Sequence, residues 1–244
     1  MVAADEVIAW HWRLDDEVLA RRLPEASALS AAERAKAARF RADEHRRRYV
    51  RAHLGLRALL AGEAGAAPEA LRFDTTCRLC GDAEHGKPRL VAPPRAADDG
   101  LDFSLSHAGE VALLAVACGR AVGADVEALP PGMDWREAGA LFNDAERATI
   151  EAVEPADQGR VFLVLWTRKE ALLKTWGHGV VEAARAVDVS PPGAAREGAL
   201  KGAGPGGEDW SFRGLDPSPG HVATVGAEGP GWVLRAGPWA PGLR

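Results

Sequence analysis

Runs of two different periods alternate along this chain and predict its elements. Near the amino terminus "VIAWHWRL" (7–14) reads as a strand. From Ser30 to about Ala61 the apolar positions recur with helical spacing, Ser30 is placed to cap the start, and Glu33 three residues on gives capping-box spacing. Pro68 and the Gly/Pro-rich stretch 81–100 predict loop. "LDFSLSH" (101–107) alternates, "AGE" turns the chain, and "VALLAVAC" (111–118) is a continuous apolar run of the kind a buried strand carries. After "GR", the segment "AVGADVE" (121–127) is the next strand. Helix resumes from about Trp135. "VFLVLWTRKEALLKTW" (161–176) predicts a long helix whose positions 162, 163, 165, 166, 172, 173 and 176 pack inward, ended by Gly177 and Gly179. Beyond Ala183 the chain is rich in Gly and Pro, with two short strand candidates. The pattern is α+β.

An offset of 113 residues lays helix on helix and strand on strand. Ala32, Glu33 and Arg34 fall on Ala145, Glu146 and Arg147; Arg47 on Arg160; Tyr49 on Phe162; and Ala58, Leu59 and Leu60 on Ala171, Leu172 and Leu173. "VIAWHWRL" falls on "RAVGADVE". Segments rich in Ala, Arg and Leu produce chance identities, yet the agreement of element type predicts two similar halves, 1–118 and 119–244, with a cleft between them.

Composition narrows the function classes. The chain has 244 residues, 47% of them apolar, enough for a real core, and a net charge of −5, which argues against a protein built to coat nucleic acid or an anionic membrane. No basic-then-apolar leader and no membrane-length apolar run occur, so a soluble cytoplasmic protein is expected. Three cysteines suit a reducing compartment. Cys77 and Cys80 form a CxxC with His85 close behind, and loop, zinc and redox readings of it all stay open.

Candidate chemistry gathers in the second half. Residues two apart on a strand share a face, so Asp125 and Glu127 present two carboxylates together, which favours a divalent cation; hard oxygen donors suit Mg²⁺. Ser106 and His107 close the preceding strand at the end to which the chain returns Glu127. Glu170 and Lys174, four apart on the long helix, read first as an ordinary surface pair. Where the second half has Asp125, Glu127 and Glu170, the offset gives Trp12, Leu14 and Arg57, so one metal site per chain is expected. Basic residues crowd 34–51 and fall around much of the helix, so most read as solvated. With Lys36, Lys87, Lys169 and Lys174 nearby, the carboxylates describe a site for a polyphosphate-containing substrate, without the GxxxxGK[ST] of a P-loop.

"GKP" (86–88), "SLSHAGEVALLAVA" (104–117), "GADVE" (123–127) and "FLVLWTRKEALLKTWGHG" (162–179), in this order and spacing, resemble the 4′-phosphopantetheinyl transferases of the long, pseudo-dimeric, surfactin-synthetase-activating type. The resemblance implies a pseudo-dimer of two α+β halves acting as a monomer, with its site in the cleft. It implies transfer of phosphopantetheine from coenzyme A to a serine of an apo carrier protein, with release of adenosine 3′,5′-bisphosphate. It further implies Mg²⁺ on Asp125, Glu127 and Glu170. Glu170, Lys174 and Asp125 would carry the chemistry, and Lys36, Arg48, Lys87, Ser106, His107, Lys169 and Lys174 the coenzyme A phosphates. The carrier would dock beside the cleft, on residues such as Leu129 and Met133. A weak coenzyme A or carrier-binding module is the alternative, and an arginine-helix grip on nucleic acid a third. The sequence departs from the family at Ala124, at His178, where lysine is common, and at Glu33.

Overall fold

The computed structural model describes residues 2–77, 80–82, 86–94, 100–130, 133–136, 141–177, 187–190 and 195–240. The calls on His85, His178 and Gly179 lie outside the described residues. Two four-stranded sheets and two 22-residue helices organise the chain. The first sheet has the order β10-β1-β5-β4, from β1 (Glu6–Arg13), β4 (Leu101–Ala108), β5 (Val111–Cys118) and β10 (Val233–Pro238). The second has the order β6-β9-β8-β7, from β6 (Val122–Ala128), β7 (Glu197–Leu200), β8 (Trp210–Leu215) and β9 (His221–Glu228). A short hairpin pairs β2 (Arg72–Asp74) with β3 (Arg89–Ala92). Thus β3 lies inside the stretch expected to be loop, and the carboxyl-terminal tail carries four strands rather than two.

The expected helix 30–61 is broken. After the single turn α1 (Glu17–Ala20), α2 (Ala31–Ala38) opens with the Ser30/Glu33 capping box, and α3 (Asp43–Ala64) follows a turn at Arg39–Ala42. The corresponding pair is α4 (Asp144–Glu151), opened by an Asn143/Glu146 capping box, and α5 (Pro155–Trp176). Pro155 at the first turn of α5 separates the two, since proline suits a helix start and no interior. Gly65 and Gly177 end the two long helices in the left-handed region, at φ 60° and 74°.

Packing follows strand parity. Val7, Ala9, Leu113 and Ala115 of the first sheet meet Val122, Ala124, Val126 and Val225 of the second in one apolar cluster, so the sheets bury a face against each other. The other face of the first sheet, with Trp12, Phe103 and Leu114, packs on Leu56 and Leu60 of α3. α5 covers the second sheet through Leu165, Leu172, Phe212 and Val222. Gly123 is required there: a Cβ would stand 1.8 Å from the Ala171 carbonyl oxygen.

Two details correct the sequence reading. The first sheet takes its edge strand β10 from residues 233–238, so a boundary at 118/119 does not divide the sheets. The helix bounds of α3 and α5 differ by 112 residues, whereas those of α2 and α4 differ by 113. In keeping with this, the half-buried Glu33 of one capping box pairs with buried Arg57 at 2.6 Å, and buried Glu146 of the other pairs with Lys169 at 2.8 Å. Laid over one another at the offset of 112, the two long helices set Arg57 on Lys169, and Ala58 on Glu170. No helix of the described residues is long and apolar enough to cross a membrane.

Candidate functional site

The site forms where the edge strands of the two sheets run beside each other under α5. Asp102, Ser104 and Ser106 alternate along β4, so their side chains share one face, and that face meets β6. Asp102 accepts from the Val122 amide (2.8 Å), the Ser104 hydroxyl reaches the Ala124 carbonyl (3.5 Å), and Ser106 Oγ donates to Asp125 Oδ1 at 2.8 Å. On β6, Gly123, Asp125 and Glu127 face α5 while Val122, Ala124 and Val126 face the intersheet core. The two carboxylates therefore share a face, as period two requires.

Lys174 does not pair with Glu170. Its ammonium lies 2.5 Å from Asp125 Oδ1 and 3.3 Å from Ser106 Oγ, because it stands in the last turn of α5 against β6. Asp125 is 3% exposed, and its second oxygen, Oδ2, has no hydrogen-bond partner among the described residues. Burial raises the Asp125 carboxyl, and Lys174 and Ser106 partly offset that rise. Glu127 is raised to about 7, first by burial and then by the Asp125 charge, although Trp166 Nε1 donates to its Oε1 at 3.1 Å. Glu170 is raised by burial and by Asp125. The three carboxylates thus feel one another's field.

Among the described residues no three His, Cys, Asp or Glu side chains are gathered closely enough to hold a metal ion. Lys174 occupies one oxygen of Asp125, and Trp166 donates to Glu127. The donor set still fits a hard divalent cation, since it consists of carboxylate oxygens, one of them buried and unsatisfied.

Cationic residues flank the carboxylates. The His107 imidazole is lowered by burial and then by the charges of Lys174, Lys36 and Arg48. Lys36 sits 5.7 Å above the Tyr49 ring, which stacks on His53 at 3.9 Å; burial draws His53 down to about 4. Arg48 is bound to Glu44 at 2.5 Å. Lys87 pairs with Asp102 and donates to the Val122 carbonyl (2.8 Å), which fastens the β3 loop to both edge strands. It also lines a cavity of about 540 Å³ with Arg89, Asp102, Arg120, Thr175 and Trp176, and Asp125, Glu127 and Glu170 lie outside that lining. Lys169 is the correction: expected among the phosphate contacts, it is 1% exposed and bound to Glu146 and the Val187 carbonyl, one residue round the helix from the site. Sequence reading missed Asp102, Trp166 and Glu146. The alternation of "LDFSLSH" carried the signal for Asp102; no local pattern carried one for Trp166.

A family model described as the 4′-phosphopantetheinyl transferase superfamily matches residues 121–225. The 4′-phosphopantetheinyl transferase HetI of a Nostoc species is 34% identical over 231 residues, covering 94% of this chain and 90% of that protein. A 4′-phosphopantetheinyl transferase of Bacillus subtilis is 30% identical over 155 residues, covering 63% of this chain and 62% of its own. The 4′-phosphopantetheinyl transferase AcpT of Escherichia coli K12 is 39% identical over 95 residues, covering 38% and 46%.

Proposed function

The chain belongs to the 4′-phosphopantetheinyl transferase superfamily and is an enzyme of that class, and from that premise we propose that the Asp125–Glu127–Glu170 group is its catalytic centre. The reaction is transfer of phosphopantetheine from coenzyme A to a serine of an apo carrier protein, dependent on Mg²⁺, with release of adenosine 3′,5′-bisphosphate. The observation that carries the reading is the unsatisfied Oδ2 of buried Asp125 beside two further carboxyls that its charge raises. Such a group suits a hard divalent cation.

Asp125, Glu127 and Glu170 would hold the metal, which when bound supplies neutralising charge to the carboxylates and to the coenzyme A pyrophosphate. The serine oxygen forms its bond to the phosphorus bearing pantetheine. The pyrophosphate P–O bond breaks, and its electron pair leaves with the nucleotide. Glu170 accepts the serine proton. Lys174 holds Asp125 in place and offsets charge on the departing phosphate. His107, Lys36, Arg48 and Ser106 bind phosphate oxygens, and Lys87 reaches coenzyme A from the cavity wall. Similar halves with the site between them accord with the two sheets, each with a 22-residue helix and a buried capping-box ion pair. One chain then completes the site as a monomer, and the cytoplasm remains its expected compartment.

The test is the intact mass of an apo carrier protein after incubation with the enzyme, coenzyme A and Mg²⁺. A gain of one phosphopantetheine that EDTA suppresses is expected. Glu170→Gln abolishes that gain while keeping the fold. Unchanged turnover in the variant would remove Glu170 from the mechanism.

A further inference from the structure

His221 opens β9, is 4% exposed, and its Nε2 has no hydrogen-bond partner among the described residues. Its Nδ1 lies 3.3 Å from the Pro219 carbonyl, an oxygen that can only accept, so that nitrogen carries a proton. Nε2 looks across to the other sheet. It stands 3.9 Å from Glu110 Oε2, in the turn between β4 and β5, and 3.5 Å from where a Cβ on Gly109 would be. With the ring buried and the carboxylate only 29% exposed, salt screens this contact less than it screens a surface pair.

The place of the contact gives it a consequence. β4 and β6 run side by side in one direction, from Asp102 at the Val122 amide (2.8 Å), through Ser104 at the Ala124 carbonyl (3.5 Å), to Ser106 on Asp125 (2.8 Å). At the Val122 end, Lys87 ties the two sheets by pairing with Asp102 and donating to the Val122 carbonyl. At the other end, His221 is the register partner of Ala128, one residue beyond Glu127, and the β4–β5 turn begins two residues beyond His107. That turn is held to its own sheet by the Leu14 amide, which donates to the Glu110 carbonyl (2.7 Å), and by Arg13, 3.6 Å from Glu110 Oε1. Toward the second sheet it faces His221 and Ala128. Lys87 and His221 thus fasten the sheets at the two ends of the strand that carries Asp125 and Glu127.

We propose that His221 is a positioning residue: through Glu110 it fixes the β4–β5 turn, and with it His107 of the first half, at a set distance from Glu127 of the second. This rests on the transferase reading, in which one polyphosphate touches both halves at once, and it adds a residue that touches neither substrate nor metal. A contact between the halves acts on the ligand that spans them. Coenzyme A affinity therefore depends on His221, whereas encounter with the carrier does not.

The experiment titrates coenzyme A, with Mg²⁺ present, into wild type, His221→Phe, His221→Gln and Glu110→Gln in a calorimeter, and measures carrier KM for the same proteins. Phenylalanine keeps a ring and loses both nitrogens, whereas the glutamine amide can still donate to Glu110. His221→Phe and Glu110→Gln should each weaken coenzyme A binding by about fivefold. The double variant should lose no more, because both changes remove one contact. His221→Gln should recover most of the loss, and carrier KM should hold throughout. Unchanged coenzyme A affinity in His221→Phe, even with a lowered thermal midpoint, overturns the proposal, as do additive losses in the double variant. A carrier KM that rises while coenzyme A affinity holds would assign the contact to docking and also overturn it. Should His221→Phe fail to fold, Glu110→Gln decides alone, since the bond from Leu14 uses the Glu110 main chain and survives the change. Wild type that binds no coenzyme A would sink the transferase reading and the proposal with it, an outcome distinct from equal binding by wild type and variants, which sinks the positioning role alone.

Discussion

Glu127 shows how one side chain records the cost of assembling a site. Burial and the Asp125 charge lift its carboxyl to about 7, well above the unfolded value near 4.3. Between those two values the folded chain holds a proton that the unfolded chain has released, so this group's contribution to stability falls as pH rises through the window. Glu127→Gln removes the titration and keeps an oxygen for Trp166. The variant should therefore be the more stable at pH 8, by on the order of 2 kcal/mol once partial exposure is discounted, and a melting-temperature gap of about 5 °C should close by about pH 4, below the unfolded value. A gap that does not vary with pH would show that the carboxyl is not strained in this way. Asp125 follows the same sign, with Lys174 as its counterweight.

At the scale of elements, α5 and β6 do most to place the chemistry. Their contact depends on the bare backbone of Gly123, so Gly123→Ala must push strand from helix and part Asp125 from Lys174. A loss of about 3 kcal/mol in urea unfolding is expected, with activity falling further than stability explains. On the other side of α5, Lys169 anchors to Glu146, whose carboxylate also accepts the Val189 and Asn143 amides. Lys169→Met leaves that fully buried carboxylate without its cation and should cost about 3–5 kcal/mol, read as a lowered thermal midpoint; a midpoint within a degree of wild type would show that the pair carries no stability. The sequence made strands β1, β4, β5 and β6 legible because their apolar runs are short and bounded by turns, and it placed Asp125 and Glu127 on one face by parity alone. It could not reveal that Lys174 would turn to Asp125 or that Lys169 would turn inward, since both depend on which strand lies under each helix face. Residues 72–74, 89–92 and 233–238 are too short and too rich in Gly, Pro and charge to declare themselves as strands before their partners are known.

For the molecule as a whole, the two sheets are tied together because β10, which follows the strands of the second sheet, returns to β1 of the first. β10 pairs in parallel with β1, Trp232 is buried between the sheets, and Trp239 meets Trp12 edge to face at 5.5 Å. Deleting residues 230–244 should lower the thermal midpoint and expose the Trp12 face to a hydrophobic dye; an unchanged midpoint would make β10 an ornament. The same return of the tail bears on how the protein is made. β1 leaves the ribosome long before its β10 neighbour, so the first sheet waits until the strands of the second have been made before its edge is closed. A chain stalled before β10 would carry every carboxylate of the site and still present an open strand edge, which marks it for proteolysis or for pairing with another unfinished copy.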